Sequence, residues 1–451
     1  FFPIAYFINL LFTICMETPK ILENAQNIRS VIRYLKRFKN TTFVIHLPDS
    51  ILESSVFLNH ISDIALIHNA GIRIVLVAGA KNRINGLLES AGILWQAKDG
   101  LRVSGENAMP HIKMASFDVA NSIMTALAAE KISAVIGNWV KARGKGIIDG
   151  FDYESCGEID QVDLPSIHSV LENNFIPIFP CLGWSSSGRP YNISSIDLAK
   201  EIAIQLKSEK LFFLNDYELE EIFLEKKAHE NESINALSVQ NLEAILKENR
   251  AIPIHAARLL NLALEACKKG LERVHLIDQR IDGVILNELF SELGSGLMIY
   301  DDNYGAIRSM DLEDVADVLS LMRPFVKKGI LLERSEVQLK ELHGDFVVYE
   351  IDGAIRACAA LHVYGEEQGE IAAVVVDERY NKAGIGIKLI EFLKKKARGL
   401  GIASLFVLTT QTADWFEKQG FKPDILESIP FAKQEKIDKN RKSKVFRLEL
   451  V

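Results

Sequence analysis

The sequence predicts a two-domain α/β chain, with a parallel-rich sheet domain followed by a smaller α+β domain. Three observations carry this. Strand-like and helix-like stretches alternate from residue 42 to residue 300, the pattern of a parallel sheet with helices on both faces. The polar, turn-forming stretch Asp301-Asp302-Asn303-Tyr304-Gly305 interrupts that alternation. Beyond it, an apolar run at 371–376 stops at a polar turn, and Gly384-Ile385-Gly386 then opens a helix. A buried strand leading into a glycine-marked helix N-terminus is an anion site: its first N–H groups lack intrahelical acceptors, and the helix dipole adds partial positive charge. The strand edge beside it can pair with an extended, amide-bearing ligand. A pyrophosphate carrying a pantetheine-like arm suits both features.

The elements follow in order. Apolar Ile21, Ile28, Val31, Ile32 and Leu35 recur at helical spacing, so 20–38 reads as an amphipathic helix. Strands are expected at 42–47, 72–78, 133–137, 176–181, 211–214, 274–278 and 297–300. Helices are expected at 54–70, 82–91, 115–130, 195–207, 253–269 and 283–291. The acidic, lysine-rich segment 217–249 reads as a solvated helical excursion. In the second domain we place strands at 306, 346–351, 354–364, 371–376, 404–409 and 444–450. Helices there are placed at 312–322, 335–342 and 412–419, besides the one opened by the glycines. The domain limits are 20–300 and 305–451, with a linker at 301–304 and an N-terminal extension at 1–19.

Composition narrows the class. The 451 residues are 48% hydrophobic and 25% charged, which suits large globular cores. The net charge is −8 and no basic stretch is interleaved with aromatics, which disfavours a nucleic-acid partner. Cys15, Cys156, Cys181, Cys267 and Cys358 are scattered with no CxxC spacing, so neither a disulfide framework nor a zinc knuckle is indicated. A reducing cytoplasm fits, and no metal is expected. Residues 1–15 are almost wholly apolar but too short to span a bilayer. The first Met is Met16, and we expect translation to start there, with no membrane partner.

The chemistry concentrates in the second domain. Proton transfer needs a group able to take a proton and one able to give it. Glu370 stands at the start of the central strand; partly desolvated, its carboxylate would have a raised pKa suited to a general base. The alternative is a solvated strand-end Glu. Thr409 ends the next strand, where its hydroxyl is either a proton donor or an ordinary strand cap.

The order strand, Asn381-Lys382-Ala383-Gly384-Ile385-Gly386, helix, strand, Trp415-Phe416, Gly420-Phe421 resembles the GCN5-related N-acetyltransferase (GNAT) family. Asn381 stands where that family usually has Arg or Gln. The runs Arg323-Pro324, Gly329 through Ser335, Ala357-Cys358-Ala359-Ala360-Leu361, Gly369-Glu370, Leu405 through Thr410, and Arg441-Lys442-Ser443-Lys444-Val445 look like the bacterial N-acetylglutamate synthases. The resemblance implies Glu370 as base and Thr409 as acid. It implies Arg334, Arg441 and Ser443 as binders of the two glutamate carboxylates, for which arginine forks are chemically suited. It implies that Val374, Val375, Val376, Lys382, Ala383, Gly384, Ile385 and Gly386 hold acetyl-CoA.

Residues 20–300 resemble the amino-acid kinase fold, acetylglutamate kinase in particular. The matching runs include Gly71 through Val77, Gly100-Leu101-Arg102-Val103, Asn192-Ile193, Lys207 through Leu211 and Val274 through Asp278. A working kinase of that family needs Lys-x-Gly-Gly after its first strand; here the chain reads Ile45-His46-Leu47-Pro48-Asp49-Ser50. Proline removes a donor and Asp49 repels phosphate. The second phosphate loop reads Ala78-Gly79-Ala80-Lys81. The domain is therefore expected to be non-catalytic and regulatory. The resemblance implies an L-arginine effector site at His275, Glu288, Gly294 and Gly296, where Glu288 would pair with the guanidinium and Leu297 stands in place of the family's Thr. It also implies a homo-oligomer joined through the N-terminal helix. The expected reaction is acetyl-CoA plus L-glutamate to N-acetyl-L-glutamate plus CoA, the first step of L-arginine biosynthesis. The alternatives are a bifunctional synthase/kinase and a non-catalytic arginine-binding regulator.

Overall fold

The computed structural model describes residues 28–29, 31–216, 236–248, 252–290, 295–301, 305–351, 354–365, 367–380, 384–438 and 441–450. The expectations for residues 1–27, for 217–235 and for the linker residues Asp302, Asn303 and Tyr304 lie outside these. The chain divides into two compact units, one ending at Tyr304 and the other beginning at Gly305.

The first unit is built on strands β1 (Thr42–Leu47), β2 (Arg73–Ala78), β3 (Ala134–Ile136), β4 (Ile176–Phe179), β5 (Lys210–Asn215), β6 (Ala236–Ser238), β7 (Arg273–Asp278) and β8 (Leu297–Tyr300). They form one sheet in the order β6-β8-β7-β5-β1-β2-β4-β3, parallel except between β7 and β8. The central strands are continuous apolar runs because both faces are covered. Phe43, Ile45 and Leu47 enter one core while Val44 enters the other. Helices α1 (Phe57–Asn69), α2 (Lys81–Ser90), α3 (Met109–Ala129), α4 (Ser195–Gln205), α5 (Ile254–Lys268) and α6 (Val284–Phe290) supply the two layers.

Three expectations change. The described part of the N-terminal helix buries Tyr34 and Phe38, while Ile28 and Ile32 are exposed. The aromatic pair reaches Phe43 and Phe290, so it packs more area than the aliphatic stripe. The segment 217–249 is not wholly a solvated helix: β6 adds an edge strand, and the following helix buries Leu242 and Ile245. A four-stranded sheet from Val140–Gly144, Gly157–Val162, Leu182–Trp184 and Pro190–Asn192 was not read from the sequence.

The second unit has strands β9 (Ala306–Ser309), β10 (Phe346–Ile351), β11 (Ala354–Tyr364), β12 (Gln368–Val376), β13 (Ser404–Thr409), β14 (Lys422–Asp424) and β15 (Lys444–Glu449). Their order is β9-β10-β11-β12-β13-β15-β14. Helix α7 (Val315–Lys327) packs Val315, Val318 and Met322 on Phe346, Cys358, Ala360 and Val375. Helices α8 (Glu336–Glu341), α9 (Ile385–Gly399), α10 (Ala413–Lys418) and α11 (Phe431–Gln434) complete it. Among the described residues no helix is long and apolar enough to cross a membrane, and no group of three or more His, Cys, Asp and Glu side chains could hold a metal ion.

Candidate active site

The site forms where β12 and β13 part. They pair in parallel over three rungs only, Gln368 with Ser404, Gly369 with Leu405 and Glu370 with Phe406. β13 then continues against β15 as far as Thr409, and β12 continues against β11. A bulge sharpens the divergence: Ala372 pairs with Ala360 but Val375 pairs with Cys358, so β12 carries one extra residue. Ala373 absorbs it with φ +50°, a left-handed conformation unusual for a residue with a Cβ. Among the described residues, the edge of β12 from Ile371 to Val376 thereby has no strand partner on the β13 side.

Glu370 is the last rung before the split and is buried. Its Oε1 lies 2.7 Å from Lys433 Nζ, and its Oε2 accepts the Tyr364 hydroxyl at 3.2 Å. Burial, then the Glu370 charge, pushes the Tyr364 hydroxyl's pKa well up, so it serves as a donor. Thr409 is buried at the far end of β13. Its Oγ1 accepts the Thr412 N–H at 3.0 Å and lies 2.8 Å from Thr412 Oγ1, tying the strand to the turn before α10.

The arginines gather on the same side. Arg441 Nη2 donates to the carbonyls of Gly329 and Ile330 at 2.9 and 2.8 Å, which holds the segment leading to Arg334. Arg334 lies over the Phe346 ring at 5.7 Å, and among the described residues no hydrogen bond or ion pair engages its guanidinium. Burial pulls its pKa below the usual arginine range, while Cys358 and Glu370 work the other way. Ser443 immediately precedes Lys444, the residue paired with Thr409. Glu370, Thr409, Arg334, Arg441 and Ser443 all fall in the second unit.

At the predicted anion loop, Gly384 has φ +68° and caps α9, a conformation for which glycine is suited. A Cβ on Gly386 would come within 3.1 Å of Trp415, so glycine lets the helix approach that indole. Val374 and Val376 are partly buried and Val375 faces the core. Asn381, Lys382 and Ala383 lie outside the described residues. Sequence reasoning missed Tyr364, Lys433, Thr412 and the Ala373 bulge; no local signal marks any of them.

In the first unit, His275 on β7 places Nδ1 2.7 Å from Glu288 Oε1 on α6. Glu288 Oε2 accepts the N–H groups of Ser295 and Gly296 at 2.7 and 2.9 Å. Burial lowers the His275 pKa, against the raising effect of the Glu288 hydrogen bond. Burial opposes the Glu288 charge, but the His275 bond and the two N–H donors hold its pKa below the usual carboxylate range. A Cβ on Gly296 would meet the Leu276 carbonyl oxygen at 2.3 Å, so only glycine fits. Gly294 lies outside the described residues.

A family model described as the amino acid kinase family matches residues 41–278, and one for the acetyltransferase (GNAT) domain matches 342–423. The amino-acid acetyltransferase of Pseudomonas aeruginosa is 33% identical over 436 residues, 94% of this chain and 98% of the relative. That of Azotobacter vinelandii is 33% identical over 432 residues, 93% and 98% of the two chains. The chain belongs to the amino-acid acetyltransferase family. Among solved structures, N-acetylglutamate synthase from Neisseria gonorrhoeae complexed with coenzyme A and L-arginine superposes with a TM-score of 0.73 at 28% identity, over 94% of this chain and 99% of that one. The same enzyme complexed with coenzyme A and N-acetyl-glutamate gives 0.60 at 29% identity, over 95% and 99%. The second unit thus carries an acetyltransferase (GNAT) domain, and the gonococcal relative holds coenzyme A.

This acetyltransferase carries a second helix N-terminus after a sheet strand, at α2. There Asp49 Oδ2 accepts the Arg83 N–H at 2.7 Å. Burial nonetheless raises the Asp49 pKa, against that bond. A Cβ on Gly79 would touch Ser195 Oγ, His46 Nε2 and Pro48 Cα at 3.2 to 3.3 Å. His46, its pKa lowered to about 3 by burial, bonds Ser195 Oγ at 2.9 Å.

Proposed function

We propose that this acetyltransferase moves the acetyl group of acetyl-CoA to the amine of L-glutamate, giving N-acetyl-L-glutamate and CoA. This is the first step of L-arginine biosynthesis. The observation that carries the reading is the buried Glu370 carboxylate at the vertex between β12 and β13, beside the segments holding Arg334 and Arg441. The open edge of β12 takes the amide-bearing arm of acetyl-CoA, and the α9 N-terminus with Gly384 and Gly386 takes its phosphates. Arg334, Arg441 and Ser443 hold the two substrate carboxylates. Glu370 removes the ammonium proton, the amine attacks the thioester carbonyl, and Thr409 returns a proton to the departing thiolate. The gonococcal synthase complexes with coenzyme A and N-acetyl-glutamate support this choice of substrates.

The kinase-like unit acts as a regulator that does not transfer phosphate and takes L-arginine as effector. Support comes from the gonococcal complex with L-arginine and from the cluster of His275, Glu288 and Gly296. Glu288 already uses three of about four acceptor directions. It therefore braces the 295–296 loop and keeps one direction for a guanidinium. Asp49, reaching α2 from the end of β1, speaks against a bifunctional synthase/kinase, because its carboxylate holds a first-turn N–H group that a phosphate would need. The exposed Ile28 and Ile32 support a homo-oligomer, and the buried free thiols of Cys156, Cys181, Cys267 and Cys358 support a cytoplasmic setting.

The test is thiol release from acetyl-CoA across the amino acids, with and without L-arginine. Glutamate is expected to be the preferred acceptor and arginine to change its rate. Equal rates with non-acidic amino acids would sink the dicarboxylate assignment.

A further inference from the structure

The sheet split places two unassigned side chains on the Glu370 carboxylate, one on each oxygen. We propose that Lys433 is a positioning residue for acetyl transfer, fixing the orientation of the Glu370 carboxylate at the vertex of the β12–β13 split. The proposal rests on the reading of Glu370 as the base.

Lys433 reaches Glu370 by a built route. It sits on α11, which Pro430 opens, and its side chain is 18% exposed while that of Glu370 is 4% exposed. The segment before it is tied down at several points. Arg447 Nη2 donates to the Ser428 carbonyl at 2.6 Å, Arg447 Nε pairs with Asp424 at 2.6 Å, and Arg447 Nη1 donates to Ser404 Oγ at 2.7 Å. Gln434 Nε2 donates to the Ile429 carbonyl at 2.8 Å, and Ile429 packs with Phe406 and Val445. Ser404 and Phe406 lie on the same three rungs that end at Glu370. The lysine is thus held relative to the strand that carries the base.

The energetics favour a functional reason for the pair. Desolvating two charges costs more than a well-packed apolar pair would, so a buried ion pair adds little to stability by itself. Removing one partner, however, leaves the other charge buried and uncompensated. Here the ammonium takes one lone pair of Oε1 and the Tyr364 hydroxyl one of Oε2. Each oxygen keeps a second acceptor direction, so the carboxylate is oriented and still able to take a proton.

The other charged groups around Glu370 are identifiable. His362 is its rung partner on β11 and bonds Asp345 Oδ2 at 2.6 Å. Arg334 acts on it electrostatically, and Arg447 with Asp424 lies beyond Phe406 on β15. Lys433 is the cation in direct contact.

The experiment follows thiol release against pH for the full chain, comparing wild type with Lys433→Gln, Lys433→Arg and Glu370→Gln. For Lys433→Gln, kcat is expected to fall about tenfold with KM for acetyl-CoA within about twofold. Its acid limb should move to higher pH by about one unit, the size of effect one close counter-charge exerts. Lys433→Arg, which keeps the charge, is expected to restore the limb. A Lys433→Gln profile that superimposes on wild type, or is merely scaled down at every pH, overturns the proposal. If Lys433→Gln does not fold by circular dichroism, the arginine variant decides: a shifted limb there overturns it and an unshifted limb supports it. Failure of the underlying reading is distinct, since it appears as full activity in Glu370→Gln whatever the lysine variants do.

Discussion

Two helix N-termini in this chain begin from the same local device and end differently. At α2 a buried strand, β2, runs through Gly79 into a helix, and Asp49 from the neighbouring strand's end bonds an N–H group of its first turn. At α9 a buried strand, β12, runs into Gly384, and among the described residues no side chain caps the helix. Both ends offer unpaired donors and a positive dipole. One supplies its own anion, and the other leaves the place for a ligand. The difference lies in what the rest of the fold brings to the terminus, because both local sequences carry a glycine at the entry to the helix.

Four substitutions probe that contrast, taken from the largest expected effect down. Glu370→Gln removes the acceptor at the open site's vertex and should lower kcat by about 10²–10⁴, the range typical of a lost general base, measured by thiol release at saturating substrates. Gly384→Val forces a β-branched residue into φ +68°. Strain of about 1–3 kcal/mol there should raise KM for acetyl-CoA by about tenfold or more, and an unchanged KM would place the phosphates elsewhere. Asp49→Ala empties the closed terminus. It should cost about 1 kcal/mol, lowering Tm by about 2–4 °C, yet leave acetyl transfer within about twofold and produce no ATP-dependent phosphorylation of N-acetylglutamate. Phosphorylation in that variant would show that the kinase machinery survives behind the plug.

The smallest effect concerns pH. The folded-state pKa of Asp49 is raised, so the folded chain holds that proton to higher pH than the unfolded chain does. Stability from this group is therefore present below the ordinary carboxylate pKa and is lost as pH rises through the folded value. Asp49→Asn keeps an acceptor without the charge. It should melt slightly higher than wild type at neutral pH, with the difference vanishing in acid, as followed by thermal denaturation across pH.

Much of this was legible from residue patterns. The wholly apolar runs of β1, β2 and β5 could only be strands buried on both faces, and they fall within one or two residues of the expected limits. Helix α3 starts at Met109 rather than at 115 because Pro110 is tolerated in a first turn, which a search for interior helix formers overlooks. The four-stranded sheet at 140–192 was missed because two of its strands are three residues long and its two halves are joined only by the pairing of Trp184 with Lys141. The bulge at Ala373 was missed because alanine gives no sign of a positive φ, whereas Gly384 does. Lys433 stood in a charged segment where a solvated lysine is the default.

By itself the sequence determined the alternation of elements, the glycines that a left-handed turn demands, and the chemical types available for catalysis, since these follow from side-chain volume, backbone freedom and periodicity. Only the tertiary structure decided where β12 and β13 separate, that Glu370 is their last shared rung, and that Lys433 and Tyr364 meet its carboxylate. It also decided that Asp49 meets the first turn of α2 while, among the described residues, no side chain caps α9. Those outcomes depend on which distant segments share a sheet edge, a long-range choice made by packing area and hydrogen-bond register that no local pattern encodes.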